Sequence, residues 1–342
     1  MTSRQKRTLL RLLTAVVLLL VLLAAVTQVK KRREEQAQAA AASSAADTVT
    51  DADAAYRSIT YSNGTATLSF ALNEEDVWYW ADDPEFPLDQ NCITGILNII
   101  TGLKPQQTIT GGDALEDYGL DEPSMTLTAA GTDGKELTLA LGNQVSGDSG
   151  SYYLLIDGDE STVYVVSGTL ASRLSSGIYD MMELPQTPVI QESSFRSITV
   201  QGAVETLLTP RVSGASTEAD SSAGGAEETA VTWQSGGKDV TDDETARALI
   251  SALSAVTLDG CVDYRPTPAA ASLCGFDAPA AVAAAEYRDD SGADETLTLT
   301  VGNLTTDGAS RYVRINDDTT IYSITADSLS AILSVAAGGL SA

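Results

Sequence analysis

The feature that most constrains this chain is a phrase that it uses twice. "YGLDEP" (Tyr118 to Pro123) and "CGFDAP" (Cys274 to Pro279) share the pattern Gly-x-Asp-x-Pro. Self-similarity of this kind is tested before any fold is assigned, because a repeat dictates architecture. The neighbours of the two phrases also match, and in the same order. "YRSITYSNGTATLSF" (Tyr56 to Phe70) is echoed by "FRSITVQGAVETLL" (Phe195 to Leu208), and "VWYW" (Val77 to Trp80) by "VTW" (Val231 to Trp233). "LDQNCITGILNIITGL" (Leu88 to Leu103) is echoed by "VTDDETARALISALSAV" (Val240 to Val256). After the phrases, "ELTLALGN" (Glu136 to Asn143) matches "TLTLTVGN" (Thr296 to Asn303), and "YYLLIDGDESTVYVV" (Tyr152 to Val166) matches "RYVRINDDTTIYSI" (Arg311 to Ile324). The main length difference is "SGASTEADSSAGGAEE", residues 213–228, whose composition reads as a disordered insertion. The expectation is a duplicated unit, spanning 56–184 and 185–342.

Local patterns give the unit its content. "TATLSFAL" and "ELTLALGN" alternate apolar and polar residues, as a half-buried strand does. Asp157-Gly158 is a hairpin-turn dipeptide. Ile93, Ile96, Leu97 and Ile100 stand at helical spacing behind Asp89, a good N-cap. "SGTLASRL" and "ADSLSAIL" read as short closing helices. The predicted unit is three strands, a helix, a turn, four strands and a helix, which makes an antiparallel α+β module used twice. Within it the Gly of the phrase permits positive φ, the Asp bonds backbone two residues on, and the Pro forces an extended exit. A ligand role for the matched Asp residues, Asp121 and Asp277, competes with this turn reading. The turn is preferred because each residue of the phrase has a mechanical use.

The N-terminus sets the address. "LLTAVVLLLVLLAAV" (Leu12 to Val26), extended to Leu9 and Val29, reaches the ~20 residues that span a bilayer as a helix. Residues 1–33 thus read as a basic flank and transmembrane helix, N-terminus cytoplasmic, with an Ala/Ser/acidic linker over 34–55. A cleaved signal peptide is the rival. "KKRR" directly after the apolar run favours the anchor. The eight basic residues of 1–33 (Arg4, Lys6, Arg7, Arg11, Lys30, Lys31, Arg32, Arg33) leave twelve in the remainder against all 47 acidic ones, within a formal charge of -27. Such a surface repels nucleic-acid phosphates. It suits an extracytoplasmic address.

Most catalytic chemistries lack their residues. With no histidine, neither Ser-His-Asp nor Cys-His catalysis is available. "GDSG" (Gly147 to Gly150) therefore has no base for Ser149. "SGGK" (Ser235 to Lys238) has the Ser-x-x-Lys spacing of penicillin-binding enzymes but none of their companion motifs. "DGDES" (Asp157 to Ser161) opens like a calcium loop, but Thr162 stands where glycine is required and Gly168 where glutamate is. Walker and dinucleotide motifs are missing. Cys261 and Cys274 bracket one segment and are candidates for a bridge, and Cys92 reads as a buried thiol. The expectation is no enzyme: no catalytic, cofactor-binding or metal residues, and no cofactor.

The basic N-terminus, the apolar helix, the "I-T" and "W-x-x" strands, "YGL-x-x-P", "L-x-L-G-N" and the "Y-x-x-x-D…VY-x-V" hairpin together resemble the bacterial domain of unknown function 4340 family. The resemblance covers nearly all of 56–182, and 195–335 more loosely. It departs from the pattern where Cys274 replaces the tyrosine. It implies a membrane-tethered extracytoplasmic protein of the kind encoded beside ABC-transporter components and gliding-type auxiliary proteins, and it brings no catalytic residues. The functional expectation is a non-enzymatic scaffold or accessory module for an ABC-transporter or envelope complex. The alternative is an extracytoplasmic glycan- or peptide-binding module using Trp78, Trp80, Tyr152 or Tyr153.

Overall fold

The computed structural model describes residues 48–132, 134–147, 150–213 and 230–340. The expected transmembrane segment, the first part of the linker, Ser149 and residues 214–228 of the insertion lie outside the described residues. Among the described residues no helix is long and apolar enough to cross a membrane. By contacts the chain forms two compact units. The first contains the residues up to Asp76 and Asn91–Ser175, and the second contains Val77–Gln90 and the residues from Ser176 onward.

The first half runs β1 (Tyr56–Ser62), β2 (Thr67–Leu72), β3 (Trp78–Trp80), α1 (Gln90–Ile100), β4 (Gln107–Thr110), a 3-10 turn (Leu115–Tyr118), β5 (Met125–Gly131), β6 (Glu136–Gln144), β7 (Ser151–Ile156), β8 (Thr162–Ser167) and α2 (Thr169–Leu174). The second runs β9 (Phe195–Gln201), β10 (Thr206–Ser213), β11 (Ala230–Ser235), β12 (Lys238–Asp239), α3 (Glu244–Ser254), β13 (Gly260–Asp263), α4 (Pro268–Leu273), β14 (Ala281–Arg288), β15 (Asp294–Leu304), β16 (Ser310–Ile315), β17 (Ile321–Thr325) and α5 (Ser330–Gly338). The expected α+β class is observed as two antiparallel sheets with few short helices, so the fold is mostly β. The expected element string omits β4 and β13, four residues each.

The first sheet has the order β3-β2-β1-β5-β6-β7-β8-β4, and the second β12-β11-β10-β9-β14-β15-β16-β17-β13. Matched in chain order these are the same arrangement, with β12 added at one edge. Registers agree as well. Ile59 lies opposite Ala129 and Phe70, as Ile198 lies opposite Ala285 and Leu208.

Strand alternation puts Ile59, Tyr61, Leu68, Phe70, Leu127 and Leu139 into the first core, with Ile93, Ile96 and Ile100 from α1 also buried. Leu97 and Cys92, expected inside, are only half-buried, because they stand off the Ile93–Ile96–Ile100 stripe. The end of α1 is capped from the chain upstream. Thr50 Oγ1 donates to the Ile100 carbonyl (2.6 Å) and accepts from Leu103 N–H (2.7 Å). These bonds satisfy groups that a helix terminus leaves open. In the second core β14 presents only alanines inward, Ala281, Ala283 and Ala285. Their small side chains make room for α5, which packs on β14, β9 and α3 and buries Ile332 and Val335.

Candidate functional site

The repeated phrase closes the same interlock in each half. Gly119, φ 65°, caps the 3-10 turn in the left-handed region, and Gly275, φ 89°, follows α4. A Cβ on Gly119 would stand 2.6 Å from Asn143 Cγ, and one on Gly275 2.6 Å from Asn303 Cγ. The adjacent glycines complete the fit: a Cβ on Gly142 would lie 2.2 Å from the Tyr118 carbonyl oxygen, and one on Gly302 2.2 Å from that of Cys274. The phrase is therefore a socket for the Gly-Asn at the end of β6 or β15. Its aspartates play no part in this. Asp121 and Asp277 are exposed, and neither side chain bonds the backbone as the turn reading expects. The packing of glycine against asparagine fixes the turn without them.

The Ser-x-x-Lys and calcium-loop look-alikes resolve into hairpin tips. Gly236 and Gly237 both have positive φ and join β11 to β12, with Ser235 opposite Lys238. Asp157 and Gly158 both have positive φ, and Asp159 accepts from Ser161 N–H (3.0 Å) and Oγ (2.6 Å). Asp157 Oδ1 accepts from Thr138 N–H, as Asn316 Oδ1 does from Thr298 N–H, each at 2.8 Å. Among the described residues no group of three or more Cys, Asp or Glu is placed to hold a metal ion. Of the aromatic candidates, Trp78 is buried, while Trp80, Tyr152 and Tyr153 are half-buried.

One place in the fold differs in chemistry between the halves. On one face of the first sheet Tyr118, Leu120, Leu155 and Val163 form an apolar cluster with Ile109 against it, and Tyr153 meets Tyr118 edge-on at 4.8 Å. Sheet position and register identify the counterparts. Asp263 lies opposite Ile321 as Ile109 lies opposite Val163, and Arg314 lies opposite Thr300 as Leu155 lies opposite Ala140. Cys274 and Phe276 flank Gly275 as Tyr118 and Leu120 flank Gly119. Three of the five apolar positions thus carry Asp263, Cys274 and Arg314.

These polar groups are only partly satisfied. The Arg314 guanidinium lies 4.3 Å over the Phe276 ring, and its Nε is buried without a hydrogen-bond partner. Tyr179 Oη donates to Asp263 Oδ1 at 3.4 Å. Burial, then the Asp263 charge, pushes the Cys274 thiol up, against the pull of Arg314. The Cys261 thiol is pushed up to about 12 by burial and then by Asp263 and Asp318. Burial works to raise Asp318 too, but Thr320 N–H and the Tyr322 hydroxyl (2.7 Å) outweigh it and hold this carboxyl below its ordinary value. Burial and the Asp318 bond raise Tyr322 in turn. Both thiols therefore stay protonated at neutral pH. The candidate pair Cys261 and Cys274 forms no bridge, and none of Cys92, Cys261 and Cys274 is joined in a disulfide.

Beside this cluster the second unit holds Val77–Gln90 with aromatic contacts. Phe86 packs edge-on against Trp80 (5.6 Å) and Tyr264 (5.2 Å) and stacks near Tyr179 (6.5 Å). Arg265 covers the Tyr264 ring at 4.7 Å and donates to Asp83 Oδ2 and Glu85 Oε2, both at 2.9 Å.

Sheet order, interlocked turns and hairpins define the class: two antiparallel α+β units, mostly β, with no assembled catalytic constellation among the described residues. The chain belongs to the family described as Domain of unknown function (DUF4340), whose profile matches residues 78–279. No curated protein and no solved structure matches the chain.

Proposed function

We propose that the chain is a non-enzymatic accessory module of a membrane complex, built by duplication of one unit. In this reading residues 1–33 anchor it with the N-terminus cytoplasmic, residues 34–342 are extracytoplasmic, and the partner is an ABC-transporter or envelope assembly. The observation that carries the reading is the pairing of sameness and difference between the halves. Common strand order, register and Gly-Asn sockets support descent from one unit. The change from an apolar to a polar cluster at a single place supports a first half kept for architecture and a second half altered for contact. The long acidic chain behind a basic-flanked apolar run supports the address. The test uses the full chain in its own membrane. Protease added to intact spheroplasts removes the acidic part, and detergent extraction followed by affinity purification yields it in fixed stoichiometry with an integral membrane complex. A protected domain, a mature N-terminus beyond Ala25, or a chain that purifies alone after cross-linking overturns the proposal.

A further inference from the structure

The halves also differ in volume, at the end of α3. A pocket of about 240 Å³ opens there between α3, β15, β17 and the start of α5. Its floor is apolar and buried: Leu299, Ile324, Leu329 and Ile332 are none of them more than 2% exposed. Ala252 and Val256 form a wall, and Thr257, Asp259 and Ser328, all exposed, stand at the mouth. Val189, which pairs with Ala255 on the rim, is 75% exposed.

Shared hydrogen bonds fix the counterparts in the first half. Asp259 N–H donates to the Ser323 carbonyl (2.9 Å) as Gln106 N–H does to that of Val165 (2.7 Å), and Ala326 N–H donates to the Ala309 carbonyl as Gly168 N–H does to that of Gly150. The buried stripe Ala246, Leu249 and Leu253 of α3 repeats Ile93, Ile96 and Ile100 of α1. Counting from these anchors, Ser328 stands where the first half has Leu170, Ala252 where it has Ile99, and Val256 where it has Leu103. Leu170 is 1% exposed, so the first half closes this place with its own side chain. Ser328 instead pairs its hydroxyl with Thr325 Oγ1 (2.8 Å). Ile324 for Val166 and Leu329 for Ala171 return part of the lost volume, and the pocket is what remains. An unfilled apolar cavity costs stability. The mouth changes as well. Thr257 replaces Lys104 and Asp259 replaces Gln106, and both changes make it more negative.

Resting on the accessory-module reading, we propose that this pocket takes an aliphatic side chain of leucine type from a segment of a partner protein that carries a cation beside it. The first half sets the shape, because a leucine of the chain itself fills the same place there. The volume agrees. A cavity of ~150 Å³ holds one benzene molecule, so about 240 Å³ admits a branched side chain and its attachment to backbone but not the acyl tail of a membrane lipid. With the lysine replaced and Asp259 in place, the mouth favours Lys or Arg next to the apolar residue. Burial of the side chain carries most of the affinity, and charge selects its neighbour. A second copy of this chain, with 47 acidic residues against 20 basic ones, is the poorer occupant.

The test uses the full chain in digitonin, whose steroid body is too broad for the pocket. Three fluorescent peptides differ only at two adjacent positions, Leu-Lys, Ser-Lys and Leu-Glu. Fluorescence anisotropy at low salt should show Leu-Lys binding at least about tenfold more tightly than Ser-Lys, the low end of what burying one leucine gives. It should exceed Leu-Glu about threefold, a margin that closes in high salt. Ser328→Leu, which restores the residue of the first half, should abolish the leucine preference and raise the urea midpoint. Ala252→Ile should do the same from the helix side. Asp259→Gln should remove only the preference for lysine, with an unchanged midpoint. No saturable binding, equal binding of Leu-Lys and Ser-Lys, or filled variants that bind like the wild type overturn the proposal. So does a fatty acid that co-purifies with the wild type and not with Ser328→Leu, since the occupant is then a lipid. If the filled variants still co-purify with the membrane complex, the pocket fails as the docking point and the accessory role stands. If the wild type purifies alone, the accessory role itself fails.

Discussion

At the scale of single residues, the Gly-Asn socket separates strain from collision. Gly119 combines positive φ with a blocked Cβ, whereas Gly142 has a blocked Cβ alone. Gly119→Val should destabilise by about 1–3 kcal/mol, because a β-branched residue cannot comfortably take positive φ. Gly142→Ala should cost a similar ~1–3 kcal/mol as pure overpacking, since backbone oxygen cannot yield as a side chain can. Asn143→Ala should relieve part of the first penalty and none of the second, which a double-mutant cycle in urea would read directly. Asp121→Asn should be nearly neutral. The phrase is legible in the sequence as a turn, because glycine and proline carry their geometry locally. Its true partner, the Gly-Asn of "LGN", also occurs twice, but nothing local says that the two phrases touch. The thiols give a second test. Folding raises Cys261 from 9.0 to about 12. Its contribution to stability is therefore complete below pH 9.0 and is lost as pH rises through the folded value. Cys261→Ala should flatten the alkaline side of the urea-midpoint profile, and the unfolded wild type should titrate three thiols without reductant.

At the scale of elements, Val77–Gln90 carries more than the tryptophan strand and helix start that its sequence suggests. Phe86 is 4% exposed and touches three aromatic rings. Phe86→Ala should cost about 3–5 kcal/mol, the usual range for emptying a buried aromatic site, measured as a fall in the urea midpoint. Ala283→Leu should also destabilise, by about 1–3 kcal/mol, because the alanine face of β14 is the space that α5 occupies. Strands with clean alternation, such as β6 and β15, are readable from the sequence. β4 is not: "QTIT" has only one half-buried residue, Ile109, and three exposed ones, so its place at the sheet edge comes from pairing with β8 and not from its own pattern. The polar cluster was equally hidden. Asp263 and Arg314 stand at alternating strand positions where solvent exposure is the ordinary reading, and only register against the first half shows that they replace Ile109 and Leu155.

At the scale of the whole molecule, the contact-defined second unit includes Val77–Gln90 as well as everything from Ser176 onward. A fragment of residues 185–342 would lack Phe86, Asp83 and Glu85 and would leave Tyr264 and Arg265 without these partners. It should unfold at lower urea than the same strands do in the full chain, as followed by hydrogen exchange of β14 and β15. Both sheets also end in stubs. The outermost strands are β3 and β4 in one and β12 and β13 in the other, of three, four, two and four residues. Long bare edges recruit strands from neighbouring chains and seed fibrils, and edges this brief give such growth little template. Each molecule can therefore stand in a dense crowd of its own kind without zipping to the next, and whatever joins it must be recognised by side chains rather than by an added strand.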